Sequence, residues 1–179
     1  MMFLVMCEGP NELAIIEMLL ENDKLCFTTD DLLDLRPFHA RQIEKSTVVQ
    51  TALNMYNGPE KIRILRIGDK MSDALKIPPD YKDKIESVEK YCTKPELEML
   101  LIIAEGLQNK FEKVKSKDSP KNFSKENIYL NKQKYNNSTK FFRDYFGDDI
   151  DKLVNAIEKY KSSHGAHKKD EGYLADLLK

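Results

Sequence analysis

The chain opens with an uninterrupted apolar run, Phe3-Leu4-Val5-Met6-Cys7, and passes at once into Glu8-Gly9-Pro10-Asn11-Glu12. Leu13, Ile16, Leu19 and Leu20 then recur at helical spacing. The pattern predicts a strand, a glycine turn and an amphipathic helix over residues 11–22. Pro10 suits the first turn of that helix, where a missing N–H costs nothing. Short strands are expected at 24–28 and 33–35, the second because Arg36 precedes Pro37 and is steered away from helix. Residues 40–56 read as a helix with Ile43, Val48, Val49, Ala52 and Met55 on one side, ended by Gly58-Pro59. Residues 61–67 (KIRILRI) form the clearest strand after the first, and it too runs into an acid, Gly68-Asp69.

Pro78-Pro79 marks a loop. A strong helix is expected from Pro95 with Thr93 as its cap; Leu97 and Met99 to Ala104 leave it almost no polar face, so its first turns should be buried on most sides. Glu96, Glu98 and Glu105 stand out against that background, because a buried carboxylate needs a cation, a donor or a metal. A last helix spans residues 148–161, with Ile150, Leu153, Val154 and Ile157 inward. Residues 162–170 are polar, and 173–178 form an apolar tail expected to dock as a short helix. Strand, acid, turn and helix in this order open an α/β unit, and in such units the carboxyl edge of the sheet is where ligands bind.

The 179 residues are enough for one domain with a substantial core and a small appendage. The composition shifts after Glu105: between Lys110 and Asp144 there are ten Lys or Arg and four Asp or Glu, interleaved with Phe111, Phe123, Tyr129, Tyr135, Phe141 and Phe142. Residues 1–106 are therefore read as an α/β domain and 107–179 as a basic, mainly helical C-terminal extension packed on it. The net charge of -1 exerts no global pull on nucleic acid, so any such binding must come from a local patch. No apolar run approaches the roughly 20 residues of a membrane span, and the start lacks the pattern of a signal peptide. Cys7, Cys26 and Cys92 are odd in number and far apart, which suits buried thiols of a reducing cytoplasm. The expected location is cytoplasmic.

The candidate chemistry is carried by Glu8, Asp69 and Glu98, with Glu12 and Asp73 in support. Hard divalent cations such as Mg²⁺ or Mn²⁺ take oxygen ligands, commonly one or two carboxylates completed by water and substrate phosphate. Such ions activate water and stabilise the leaving oxygen in phosphodiester cleavage. Each acid also has a structural alternative. Glu8 and Glu12 can stabilise the first turn of the helix, Asp69 can cap a segment starting at Met71, Glu98 can pair with Lys94, and Asp73 can be a surface acid. The rings after residue 110 can likewise form a second small core or, with the lysines, grip an unpaired strand. His39, His164 and His167 are too separated to suggest a site.

CEGPNE (7–12) after an apolar strand resembles the first motif of TOPRIM domains, in which a Glu-Gly turn follows strand one. ILRIGD (64–69) stands where those domains carry a strand ending in Asp-x-Asp, and KPELEMLLII (94–103) resembles the Pro-x-x-Glu-x-Trp-Leu-Leu segment of the RloB-like branch, with Pro95 and Glu98 at the matching positions. The likeness covers residues 2–106. It implies a compact, Rossmann-like TOPRIM domain with a mostly parallel sheet flanked by helices, related to the RloB-like and OLD-type phage-resistance nucleases of abortive infection. It further implies that Glu8 is a general acid/base or metal-linked residue, and that Asp69 and Glu98, with Asp73, hold Mg²⁺ or Mn²⁺. One departure matters: the Asp-x-Asp position reads Asp69-Lys70-Met71, without the second Asp. Asp73 can substitute if the turn is helical, and Lys70 can replace a metal charge near the phosphate.

The first expectation is thus a Mg-dependent nuclease or nicking enzyme acting on DNA or RNA, a phage-defence effector with a separate ATPase or sensor as partner. Lys70, Lys94, Lys121, Lys125, Lys132 and Lys134 would meet the nucleic acid. No Gly-x-x-x-x-Gly-Lys-Ser/Thr loop is present in the sequence, so no nucleotide cofactor is expected and ATP hydrolysis would need another chain. The alternative is a catalytically silent regulatory or nucleic-acid- or protein-binding protein with the same fold. A third reading, a phosphoryl-transfer or nucleotide-binding enzyme, would need Asp69 as nucleophile.

Overall fold

The computed structural model describes residues 1–69, 73–93, 96–163 and 168–179. The order of elements is β1 (Met2–Cys7), α1 (Pro10–Glu21), β2 (Phe38–His39), α2 (Thr47–Met55), β3 (Ile62–Gly68), β4 (Ile85–Cys92), α3 (Glu98–Ala104), α4 (Gln108–Glu112), α5 (Pro120–Asn127), β5 (Tyr129–Leu130), β6 (Gln133–Lys134), α6 (Thr139–Gly147), α7 (Ile150–Ser163) and β7 (Glu171–Tyr173). Five strands form one sheet in the order β2-β1-β3-β4-β7, and every neighbouring pair is parallel. β5 and β6 form a separate antiparallel hairpin. The fold is α/β and Rossmann-like, a parallel sheet flanked by helices.

The apolar runs of β1 and β3 follow from this architecture. A parallel sheet is covered on both faces, so its central strands have no wet side to mark with polar residues. Val5, Cys7, Leu65 and Ile67 face one core, which they share with α1, α3, α6 and α7. Leu4, Met6, Ile62 and Ile64 face the other, against Phe38, Ile43, Val49, Leu53 and Tyr81. The first core crosses the expected boundary at 106: Leu101 and Ile102 before it pack in one cluster with Phe142, Phe146, Leu153 and Ile157 after it. β7, from the far end of the chain, supplies the fifth strand beside β4.

Several expected elements differ. Residues 24–28 form no strand; Asp23 turns the chain with φ 56°, and Leu25 makes only an isolated bridge to Leu178. Residues 33–35 form a 3-10 turn, with Asp34 and Leu35 at φ 58° and 54°. The proline effect acts at Arg36 as expected, for Arg36 is extended, but the strand it leads into is Phe38–His39 and not 33–35. The expected helix over 40–56 splits into a 3-10 turn at Ile43–Lys45 and α2, which Ser46 caps by accepting from the Val49 amide. The Pro78-Pro79 loop leads into a 3-10 helix, Pro79–Lys84. β4 (IESVEKYC) was not expected; its charged residues mask the strand pattern because much of it is only half-buried. Thr93 does not cap α3, whose N-cap is Leu97, and the expected start at Pro95 lies outside the described residues. The apolar tail ends in the expected short helical turn, Leu174–Leu177. Among the described residues no helix is long and apolar enough to cross a membrane.

Candidate active site at the carboxyl edge of the sheet

The sheet order reverses between β1 and β3. The chain leaves β1 through α1 to reach β2 on one side, and returns through α2 to β3 on the other. In open parallel sheets this switch point leaves a crevice beyond the carboxyl ends of the two strands, because their following loops run in opposite directions. Glu8 follows β1 and Asp69 follows β3. The two strands are in register, Cys7 opposite Ile67, and the Glu8 amide donates to the Ile67 carbonyl at 2.8 Å. The Thr93 amide donates to the Gly68 carbonyl at 3.0 Å, which brings the end of β4 to the same edge.

Glu8 is buried, 8% exposed, and its side chain lies across Gly68. A methyl group at position 68 would fall well inside van der Waals contact with the Glu8 carboxylate, so the glycine is required by close approach. Glu12 folds back over the turn in the same way: a Cβ on Gly9 would lie 2.5 Å from Glu12 Oε2. Burial raises the Glu12 carboxyl to about 7, and the carboxylates of Asp69, Glu8 and Glu98 push in the same direction. Glu96 is also raised, first by burial, with Glu98 and Asp69 adding to it, while the Lys121 amide, donating at 2.9 Å, opposes the shift. Acids from the ends of β1 and β3, from α1 and from the start of α3 therefore share one electrostatic field.

Glu98 owes its place to the second half of the chain. It is 6% exposed and accepts from Tyr135 Oη at 2.7 Å. Asn137, with its amide oriented to suit its neighbours, donates to the same Glu98 oxygen at 3.1 Å and accepts from Lys121 Nζ at 3.0 Å. Tyr135 is itself buried at 2%, and burial beside Glu98 holds its phenol well above the usual tyrosine range, so it stays a donor. The sequence groups Tyr135 with the rings of a basic segment and does not single out Asn137. Only long-range contacts, across 37 positions for Tyr135, bring them to Glu98, and no local pattern encodes them. His39 was also missed. It ends β2 at the same edge, and its Nε2 donates to the Glu8 carbonyl at 3.2 Å.

Asp73 is exposed, and its main-chain carbonyl accepts from Arg66 Nη1 at 2.7 Å. Lys70 and Lys94 lie outside the described residues, as do Met71 and the expected ion pair of Lys94 with Glu98. Lys121 is half-buried at the acid cluster, whereas Lys125, Lys132 and Lys134 are exposed on α5 and the hairpin. His164 and His167 also lie outside the described residues.

The donor set at the edge is all oxygen, which suits a hard divalent cation. Among the described residues no three Asp, Glu, His or Cys side chains are arranged together to hold a metal ion. Magnesium does not need three: one or two carboxylates with water and substrate phosphate suffice. Two features fit a cation. Burial, with the neighbouring carboxylates adding to it, raises the Glu12 carboxyl to about 7, and a cation would relieve that cost. The buried Thr93 hydroxyl at the end of β4 also has no hydrogen-bond partner among the described residues. The chain matches no family model, and no curated protein or solved structure is significantly similar to it.

Proposed function

We propose that this protein is a Mg²⁺- or Mn²⁺-dependent phosphodiesterase that cleaves or nicks nucleic acid at the carboxyl edge of its sheet. What supports the reading is that Glu8 and Asp69 leave adjacent parallel strands at one switch point, and that Glu12, raised to about 7 chiefly by burial, also feels the carboxylates of Asp69, Glu8 and Glu98. A bound divalent cation supplies charge for the phosphate and lowers the pKa of attacking water. Glu8 and Asp69 are the ligands nearest the strand ends, and Glu98 faces them from α3. Tyr135 and Asn137 hold Glu98 in place as positioning residues. Glu12, with a pKa of about 7, is suited to take a proton from water or return one to a leaving oxygen at physiological pH. Any coupling to ATP hydrolysis, as in a phage-defence system, would come from a separate chain.

A second reading, a silent nucleic-acid- or protein-binding protein of the same fold, is favoured by the absence of a three-residue metal group among the described residues and by Lys70-Met71 in place of the second motif acid. Calorimetric titration with Mn²⁺ separates the two. Sub-millimolar binding, weakened at least tenfold in Glu8→Gln and in Glu98→Gln, is expected from the enzyme. Metal-dependent cleavage of single- or double-stranded DNA or RNA should follow. Wild-type protein that neither binds Mn²⁺ nor cleaves any of the four substrates would leave the silent reading standing.

A further inference from the structure

Five of the six aromatic side chains interleaved with lysines after residue 110 are buried: Phe111, Phe123, Tyr135, Phe141 and Phe142. Tyr129 is the exception, 48% exposed. It stands on the hairpin β5–β6, opposite Lys134 in the pairing register, and Lys134 Nζ lies 5.8 Å from the centre of its ring. The hairpin base is firmly anchored. Ile128 and Tyr135 flank the two strands, both are buried, and the Tyr135 amide donates to the Ile128 carbonyl at 3.0 Å. An exposed tyrosine is therefore presented beside a buried hairpin base.

The turn itself is unusual. Asn131 and Lys132 occupy its two central positions at φ 48° and 68°. A two-residue turn of this kind favours glycine at the second position, where any side chain is strained. A lysine is held there instead, exposed at the tip. The turn thus forgoes the relaxed backbone that glycine would allow there and places a cation at its tip.

The hairpin also stands next to the acid edge. Lys134 immediately precedes Tyr135, whose hydroxyl bonds Glu98, and α5, which leads into the hairpin, begins with the Lys121 amide on Glu96. We propose that the hairpin is a docking platform for single-stranded nucleic acid: an unpaired base stacks on Tyr129, Lys132 and Lys134 contact the flanking phosphates, and the strand is led toward Glu98 and the carboxyl edge. The stacking half suits a single strand because a base in a duplex has no free face. The inference deepens the phosphodiesterase reading by naming its substrate class, and rests on that reading for what happens to the strand once bound.

Fluorescence anisotropy with a labelled oligo-dT of about 20 nucleotides, in EDTA, tests binding apart from chemistry. The wild type should bind it more tightly than the matching duplex. Tyr129→Ala should weaken binding about tenfold, the loss of one stacked base, and Tyr129→Phe should restore most of it. Lys132→Gly should relieve the turn, raise thermal stability and still lower the salt dependence of binding, by about 0.7 in the logarithmic slope for one lost phosphate contact on a single strand. Equal affinity for duplex, no effect of Tyr129→Ala, or no binding of oligo-dT would overturn the platform. Binding that follows these predictions without metal-dependent cleavage would support the platform and overturn the phosphodiesterase reading alone.

Discussion

Glu12 shows how much a single carboxyl can depend on its surroundings. It sits in the first turn of α1, where an acid is ordinarily a mild stabiliser facing the helix dipole. Burial and the neighbouring carboxylates reverse that benefit and raise its folded-state pKa from 4.5 to about 7. The folded protein then binds more protons than the unfolded chain between about pH 4.5 and 7, so stability is full below the lower value and falls as pH rises through the upper one. A shift of this size corresponds to a loss of up to about 3 kcal/mol. Glu12→Gln should therefore match the wild type near pH 4 and exceed its stability near pH 8. Urea denaturation across that range checks it, and parallel curves for the two proteins would show that Glu12 is not perturbed. A divalent cation at the edge should reduce the difference at pH 8, because it stabilises the ionised form.

At the scale of elements, the chain from Tyr135 to the start of α6 works as a strap over the acid edge. Tyr135 and Asn137 reach Glu98, and the next residue, Ser138, caps α6 by accepting from the Phe141 amide at 3.2 Å. Asn136 Oδ1 in turn accepts from the Ser138 amide and hydroxyl at 3.1 and 2.6 Å. The strap is thus fixed at one end by a capped helix whose rings Phe142 and Phe146 are fully buried. Ser138→Ala should cost about 1 kcal/mol of global stability, the usual loss of a serine cap. Chemical denaturation gives the number, and an unchanged midpoint would show that the cap does not hold α6. That the residues upstream of this cap touch Glu98 is not legible in the sequence, because Tyr135 and Glu98 stand 37 positions apart.

For the whole molecule, the parallel sheet dictates the arrangement of both cores. Parallel neighbours must be joined by long crossovers, so strands adjacent in space are distant in sequence. The last of them, β7, follows β4 only after all of α3 to α7. The tail is tied back to the beginning of the chain as well: the Cys26 amide donates to the Leu177 carbonyl at 2.9 Å, and the Lys179 amide to the Lys24 carbonyl at 3.0 Å. A fragment of residues 1–106 would lose β7 and the partners of Leu101, Ile102 and Ile103, leaving a wholly apolar helix face bare. It should be unfolded or aggregated, and the fragment's dispersion in an ¹H–¹⁵N spectrum decides the matter: a well-dispersed spectrum would mean that the α/β portion is an autonomous domain.

What the sequence determined by itself was local: the apolar runs of β1 and β3, the glycine turns with an acid at each strand end, the helices α1 and α7, and the docking turn of the tail. These follow from periodicity and turn chemistry, which act over a few residues. β4 escaped because a half-buried strand rich in Glu and Lys carries little apolar signal, and β2 because two residues are too few for any pattern. The order of the strands, the switch point between β1 and β3, the rise of Glu12 to about 7 and the hold of Tyr135 on Glu98 were decided only by the tertiary structure. Each depends on contacts made across long stretches of chain: the first two on how the crossovers pack, the last two on burial and Coulomb's law acting through space.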